Sequence, residues 1–159
     1  MIWAAIWKNH RSDVVVMTRD PEAARRGYSA NSYVQILEEQ VPAIYKQGMN
    51  WQQDNASIHT ARKVTRFFEE LGVTVLPWPA DSPDLNCIEN VWSMLKDYLN
   101  KHFPHLKGQG ESQQARQAFR NAIEQAWNAL DQKVINACIN SMKKRVEAVI
   151  LAKGWYTAY

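Results

Sequence analysis

The chain has 159 residues, 46% of them hydrophobic and 22% charged, with a formal net charge of +3. That is the size and make-up of one globular domain. No apolar run reaches the roughly 18–20 residues of a membrane span. Met1 leads straight into Ile2-Trp3-Ala4-Ala5-Ile6-Trp7 with no basic segment, so no signal peptide is expected. An apolar strand at the first residue hints at something missing upstream. The mild basicity permits a nucleic-acid partner without demanding one; an ordinarily solvated surface accounts for it equally. Cys87 and Cys138 are too far apart for a metal knuckle and suit free thiols in a reducing compartment. Seven tryptophans promise a large apolar core.

In chain order, residues 1–8 predict a buried strand and Lys8–Arg11 a polar break of hairpin length. Asp13–Thr18 predicts a second, β-branched strand. The stretch from Thr18 to Ala30, with Pro21 and Gly27, reads mostly as loop. Tyr33, Ile36, Leu37 and Val41 recur at helical spacing, and Pro42 should end or kink that helix. Met49–Gln53 predicts a short strand. His59–Leu71 predicts a helix facing inward with Val64, Phe67, Phe68 and Leu71, with Gly72 at its C-terminal cap. Val73–Leu76 predicts another strand, followed by a proline-punctuated loop from Pro77 to Pro83.

From Cys87 the chain reads as helical, with a stripe of Ile88, Val91, Trp92, Leu95 and Leu99 ended near Pro104, then a loop over His105–Gly110. Ser112 should cap a helix whose inner face is Phe119, Ile123, Trp127 and Leu130. Val134, Ile135, Cys138, Ile139, Met142, Val146 and Val149 mark a last helix. Hairpin strands followed by alternating strands and helices indicate an α/β protein: a mixed sheet flanked by helices.

Two segments could carry chemistry. Trp51–His59 places Asp54 at the carboxyl end of a short strand, the edge at which open α/β sheets present ligand sites. Trp78–Asn90 carries Glu89 into the first turn of a helix, with 34 residues intervening between positions 54 and 89. Carboxylates on neighbouring rigid elements suit hard divalent cations, which take oxygen ligands and stabilise the charge that builds during phosphodiester cleavage. Plainer readings stand beside this one. Asp54 could be a turn or cap acid, and Glu89 could close a capping box on Asn86. Asp81 and Asp84 suit loop shaping and capping, and His59 suits a helix start near the site. Arg62, Lys63 and Arg66, and Lys143, Lys144 and Arg145, could contact DNA phosphates or form solvated helix faces.

Asp54-Asn55-Ala56-Ser57-Ile58-His59, followed by Ser82-Pro83-Asp84-Leu85-Asn86-Cys87-Ile88-Glu89-Asn90-Val91-Trp92, resembles the Tc/mariner transposases of the DDE endonuclease superfamily. The closing Lys153–Tyr159 is similar to the family's usual end, and Cys87 stands where the family typically has proline. The resemblance implies an RNase H-like fold and a two-metal site using Mg²⁺ or Mn²⁺. Asp54 would be the second catalytic carboxylate and Glu89 the third, supported by Asn55, His59, Asp84 and Asn86. The partners would be transposon-end and target DNA, and the location the nucleus, or the cytoplasm in a prokaryote.

The first carboxylate of the family sits on a central first strand, upstream of the strand that residues 1–8 resemble, and no residue precedes Met1 here. Asp13, on what would be an outer strand, does not substitute; Asp20 is the other early acid. The expectation is a catalytic domain that is weak or inactive alone. The alternatives are a non-catalytic remnant binding DNA or protein, and a nuclease rebuilt with another chain's acid. A sheet lacking its central strand would pair residues 1–8 with 49–53, be completed by a second copy, or stay open; an open apolar edge favours self-association.

Overall fold

The computed structural model describes residues 1–23, 26–110 and 112–159. The chain divides into two compact units: Met1–Trp3 with Val15–Ser82, and Ala4–Val14 with Pro83–Tyr159. Among the described residues no helix is long and apolar enough to cross a membrane.

In the first unit, β1 (Ile2–Trp3) pairs antiparallel with β4 (Val15–Val16), with Ile2 opposite Val16. Both strands are shorter than the expected runs. Positions 24 and 25 of the expected loop lie outside the described residues. That loop ends at Ser29, whose Oγ accepts from the Asn31 and Ser32 N–H groups and caps α1 (Ala30–Ile44). Tyr33, Ile36, Leu37 and Val41 are buried along the inner face of α1, as their spacing predicts. Pro42 neither ends nor closes the helix where expected: α1 runs on to Ile44, and the Tyr45 N–H still donates to the Val41 carbonyl at 2.8 Å. With no N–H, Pro42 leaves the carbonyl four residues back without its helical donor.

A β–α–β unit follows. β5 (Asn50–Trp51) leads through α2 (Arg62–Glu70) to β6 (Thr74–Val75), parallel to β5 in the register Trp51 opposite Val75. α2 starts three residues later than the spacing predicts, because His59 and Thr60 donate backbone N–H groups into a turn on the Ala56 carbonyl. Its other end follows the sequence: Gly72 has φ +64, and the Gly72 and Val73 N–H groups donate to the Glu69 and Phe68 carbonyls. That is the Schellman pattern, which needs a residue free of β-carbon strain. Leu71, expected inside, is 46% exposed, since it is the cap residue where the helical face ends. Trp51 packs on Phe68 (ring centroids 5.5 Å) and on Trp3 (6.5 Å, 16° between planes). Residues 1–8 therefore do not ladder with 49–53: among the described strands β1 pairs with β4 and β5 with β6, while Trp3 and Trp51 meet only through their rings.

In the second unit, β2 (Ile6–Trp7) and β3 (His10–Arg11) form a hairpin, with Trp7 opposite His10. The expected four-residue break thus narrows to Lys8-Asn9, where Asn9 takes the left-handed conformation at φ 67. Four helices follow: α3 (Ile88–His102), α4 (Gln113–Ala129), α5 (Gln132–Asn140) and α6 (Met142–Leu151). Ser112 caps α4 through Ala115 N–H, as its sequence position suggests.

Trp127, 1% exposed, is the centre of this unit: its ring lies 5.4 Å from Trp92, and its indole N–H donates to the Ser12 carbonyl at 2.9 Å. Arg11 lies over the Trp127 ring and donates to the Leu130 and Asn128 carbonyls, placing a cation at the carboxyl end of α4. Asn9 and Asn136 exchange two hydrogen bonds, each 2.9 Å.

One inner-face expectation fails here: Phe119 is 48% exposed, and Val134 and Val146, which mark the expected last helix, are 44% and 43% exposed. The last helix is two helices. The Ser141 hydroxyl donates back to the Cys138 carbonyl at 2.6 Å, and its N–H is shared between Ala137 and Cys138. Such back-bonding bends a helix and turns the faces on either side apart.

Candidate active site

Asp54 lies three residues beyond β5, at the carboxyl edge of the parallel pair. Its side chain is 50% exposed and closes a turn on itself, Oδ1 accepting the Ala56 N–H at 3.0 Å. The same Oδ1 meets His59 Nδ1 at 2.6 Å. A carboxylate can only accept, so Nδ1 carries the hydrogen. Both donors fall on one oxygen, which fixes the carboxyl plane.

His59 is held in turn. Its ring lies 4.4 Å from the Tyr33 ring, and its carbonyl accepts from Gln53 Nε2 at 3.3 Å. Gln53 Oε1 accepts from the Tyr33 hydroxyl at 2.8 Å and from Trp51 Nε1 at 3.2 Å. Tyr33 is 2% exposed; burial pushes its phenol well above the usual range, and the Asp54 charge adds to the shift. The plainer reading of Asp54 as a turn acid is thus satisfied along with the site geometry. His59 is not the helix-start residue expected but a turn residue bonded to Asp54. Nothing in the sequence assigns Tyr33 or Gln53 to the site: Tyr33 carries only the signal of a core residue, and Gln53 only its place beside Asp54. Asn55 donates to the Trp78 carbonyl at 2.7 Å and steadies the loop after β6. A cleft of about 330 Å³ opens here, lined by Asp54, Asn55, His59, Thr60 and Glu69 among others.

Of the acids weighed as substitutes, Asp20 is committed elsewhere. It accepts from the Ser29 hydroxyl, Asn31 Nδ2 and the Glu22 N–H, contacts that hold its carboxyl below the usual range. Asp13 belongs to the other unit. On α2, Arg62, Lys63 and Arg66 are all exposed. Lys63 donates to Asn31 Oδ1 at 2.9 Å, and Arg66 pairs with Glu70 at 2.7 Å.

Glu89 lies in the second unit, exposed in the first turn of α3. A 3₁₀ turn over Pro83–Leu85 precedes it, and the Glu89 N–H donates to the Asn86 carbonyl at 3.0 Å. The expected capping box takes a different form: the cap residue is Cys87, with no side-chain cap bond, and Asn86 lies one position outside. Cys87 has φ −62, a value proline would share. Burial raises the Cys87 thiol pKa.

Arg145 corrects one expectation. Arg145, expected to contact phosphates, is 3% exposed: its guanidinium donates to the Asp84 carbonyl (2.6 Å), Asn90 Oδ1 (2.7 Å) and Ser141 Oγ (2.8 Å). A guanidinium buried to that extent, with each of its three nitrogens already bonded within the chain, is not presented to DNA. Asp84 Oδ2 accepts from the Thr157 hydroxyl at 2.8 Å. Lys143 and Lys144 are exposed.

The donor chemistry at both acids, carboxylate oxygen, is of the kind Mg²⁺ and Mn²⁺ take. Among the described residues no group of three or more His, Cys, Asp or Glu side chains gathers to hold a metal.

Residues 21–108, which contain both acids, match the family model of the DDE superfamily endonucleases. Similar curated proteins include the Tc1 transposase of Caenorhabditis elegans, 39% identical over 112 residues, and the Tcb1 transposase of Caenorhabditis briggsae, 40% identical over 114. Each match covers 70% of this chain and 38% of the relative, so the chain corresponds to well under half of those proteins. The catalytic domain of the Mos1 mariner transposase superposes with a TM-score of 0.64 at 19% identity, over 99% of this chain and 81% of that one, and shares its fold. With the motifs around Asp54 and Glu89 inside the matched region, the chain belongs to the DDE superfamily endonucleases.

Proposed function

We propose that residues 1–159 serve as the catalytic domain for metal-dependent cleavage and strand transfer of transposon DNA. Asp54 and Glu89 would hold the catalytic Mg²⁺ or Mn²⁺. The observation that carries this reading is the Asp54 carboxylate, half exposed at the strand edge and oriented through one oxygen by His59 and the Ala56 N–H. Mos1 has been solved with Mg, with Mn and as a strand transfer complex, which supports the choice of metal and of DNA for this chain. Bound divalent ions would stabilise the charge that builds on the phosphate oxygens. This chain's own residues orient the carboxylate: His59 Nδ1 and the Ala56 N–H hold Oδ1, while Tyr33 and Gln53 keep the His59 turn in place. Arg62, Lys63, Arg66, Lys143 and Lys144 are proposed to meet DNA phosphates, and the chain is proposed to act as a homo-oligomer, in the nucleus or in a prokaryotic cytoplasm.

A plasmid-nicking assay with Mg²⁺ and with Mn²⁺, run beside Asp54→Ala and Glu89→Ala, tests this. Nicking by the parent chain that both variants lose supports the reading. DNA binding without nicking in the parent chain supports instead a non-catalytic binding module.

A further inference from the structure

We infer that the segment Gly154–Tyr159 is a strap that, through Arg145, positions the turn carrying Glu89. Locally, residues 83–90 are shaped by the 3₁₀ turn over Pro83–Leu85 and by the Glu89 N–H on the Asn86 carbonyl. Arg145 adds a long-range grip on both sides of Glu89: one arm of the guanidinium holds the Asp84 carbonyl and the other Asn90 Oδ1. A planar fork of fixed geometry sets the spacing between its two acceptors, which a lysine could not do.

The strap completes this grip. After α6 the chain reverses at Lys153 (φ 52) and Gly154 (φ 81), with the Gly154 N–H on the Val149 carbonyl at 2.9 Å. Trp155 and Tyr156 then point outward, 73% and 74% exposed, so their burial cannot be what holds the segment down. Its anchors are the next residues: the Thr157 hydroxyl donates to Asp84 Oδ2 at 2.8 Å, and the Tyr159 ring covers the Arg145 guanidinium at 4.8 Å. The ring attracts the cation and keeps water from its hydrogen bonds. Asp84 is therefore held twice, through its carbonyl by Arg145 and through its carboxylate by Thr157. Stability passed from strap to turn is returned from turn to strap, since a coupling free energy is reciprocal. Thr157, Tyr159 and Arg145 are positioning residues; none is placed on the metal or the DNA. The consequence for catalysis rests on the reading of Glu89 as a metal ligand.

The test uses the 159-residue chain and four mild variants. Thr157→Val removes only the hydroxyl and Thr157→Ser restores it; Tyr159→Leu removes the ring and Tyr159→Phe keeps it. Amide hydrogen exchange over residues 83–91 and Mn²⁺ titration are read on each, with Glu89→Gln as the reference for metal binding. Thr157→Val and Tyr159→Leu should speed exchange in that stretch about fivefold and weaken Mn²⁺ binding by a similar factor, while Thr157→Ser and Tyr159→Phe stay within about twofold of the parent. Unchanged exchange in both Thr157→Val and Tyr159→Leu overturns the strap. Faster exchange with unaltered Mn²⁺ affinity, where Glu89→Gln does weaken it, overturns its link to the site. If Glu89→Gln leaves Mn²⁺ binding unmoved, it is the metal reading of Glu89 that fails, and the exchange data alone decide whether the strap holds the turn.

Discussion

The two acids are held in opposite ways. Asp54 is oriented by groups two and five residues away, the Ala56 N–H and His59, in a loop that closes on itself. The turn before Glu89 is ordered by partners 61 and 73 residues from Asp84, namely Arg145 and Thr157. One arrangement is cheap in chain entropy and forms wherever the short motif forms; the other exists only once α6 and the segment after it have folded back. A local site is robust to changes elsewhere in the chain. A site held at long range inherits the stability of everything that closes it.

This contrast can be broken at several points, the largest effect first. Asp54→Asn and Glu89→Gln should each lower metal-dependent nicking by at least about a hundredfold, because each removes a proposed ligand; equal activity in either variant removes that acid from the metal site. Arg145→Leu should then separate the two regions. It strips the Asp84 carbonyl and Asn90 of their donor, and we expect a loss of about 2–4 kcal/mol in urea unfolding, with exchange rising around α3 and unchanged around β5.

His59→Ala should do the reverse. Unfolding stability should move by less than about 1.5 kcal/mol, while Mn²⁺ affinity falls about 10- to 100-fold, the usual cost of losing a group that orients a ligand. A stability loss as large as that of Arg145→Leu would mean that His59 is mainly a packing residue and that the Asp54 site is not local.

The smallest effect concerns the buried phenol behind His59. Tyr33 titrates above its unfolded value of 10.0, so the folded chain keeps a proton that the unfolded chain releases. Its contribution is complete below that value and falls away as pH rises through the alkaline range. Tyr33→Phe should flatten the decline of stability above pH 10 and cost about 1 kcal/mol near neutrality through the lost bond to Gln53. An unchanged alkaline slope would place the titration elsewhere.

Much of this was legible in the sequence where the cause is local. The buried face of α1, the Ser112 cap, the reversal at Gly72 and the position of Asp54 at a strand end all follow from spacing, capping chemistry or backbone freedom within a few residues. The misreadings share the opposite cause. Lys143-Lys144-Arg145 looks like one basic run, yet Arg145 turns inward while its neighbours stay in solvent, because acceptors from α3 and the turn before it are waiting there. Asp84 suits loop shaping in the sequence, but its partner Thr157, 73 residues on, does not show there. Leu71, Phe119, Val134 and Val146 follow helical spacing, but a helical face is buried only where another element covers it.

By itself the sequence determined the α/β class, the two acid-bearing motifs and the family they belong to, since these rest on residues close together or on spacing along the chain. Tertiary structure alone decided that Arg145 is a structural cation, that Tyr33 and Gln53 stand behind His59, and that Thr157 and Tyr159 reach the turn before Glu89. No local rule selects partners so far apart in the chain. Such contacts form when folding brings a buried donor to an acceptor that water can no longer serve.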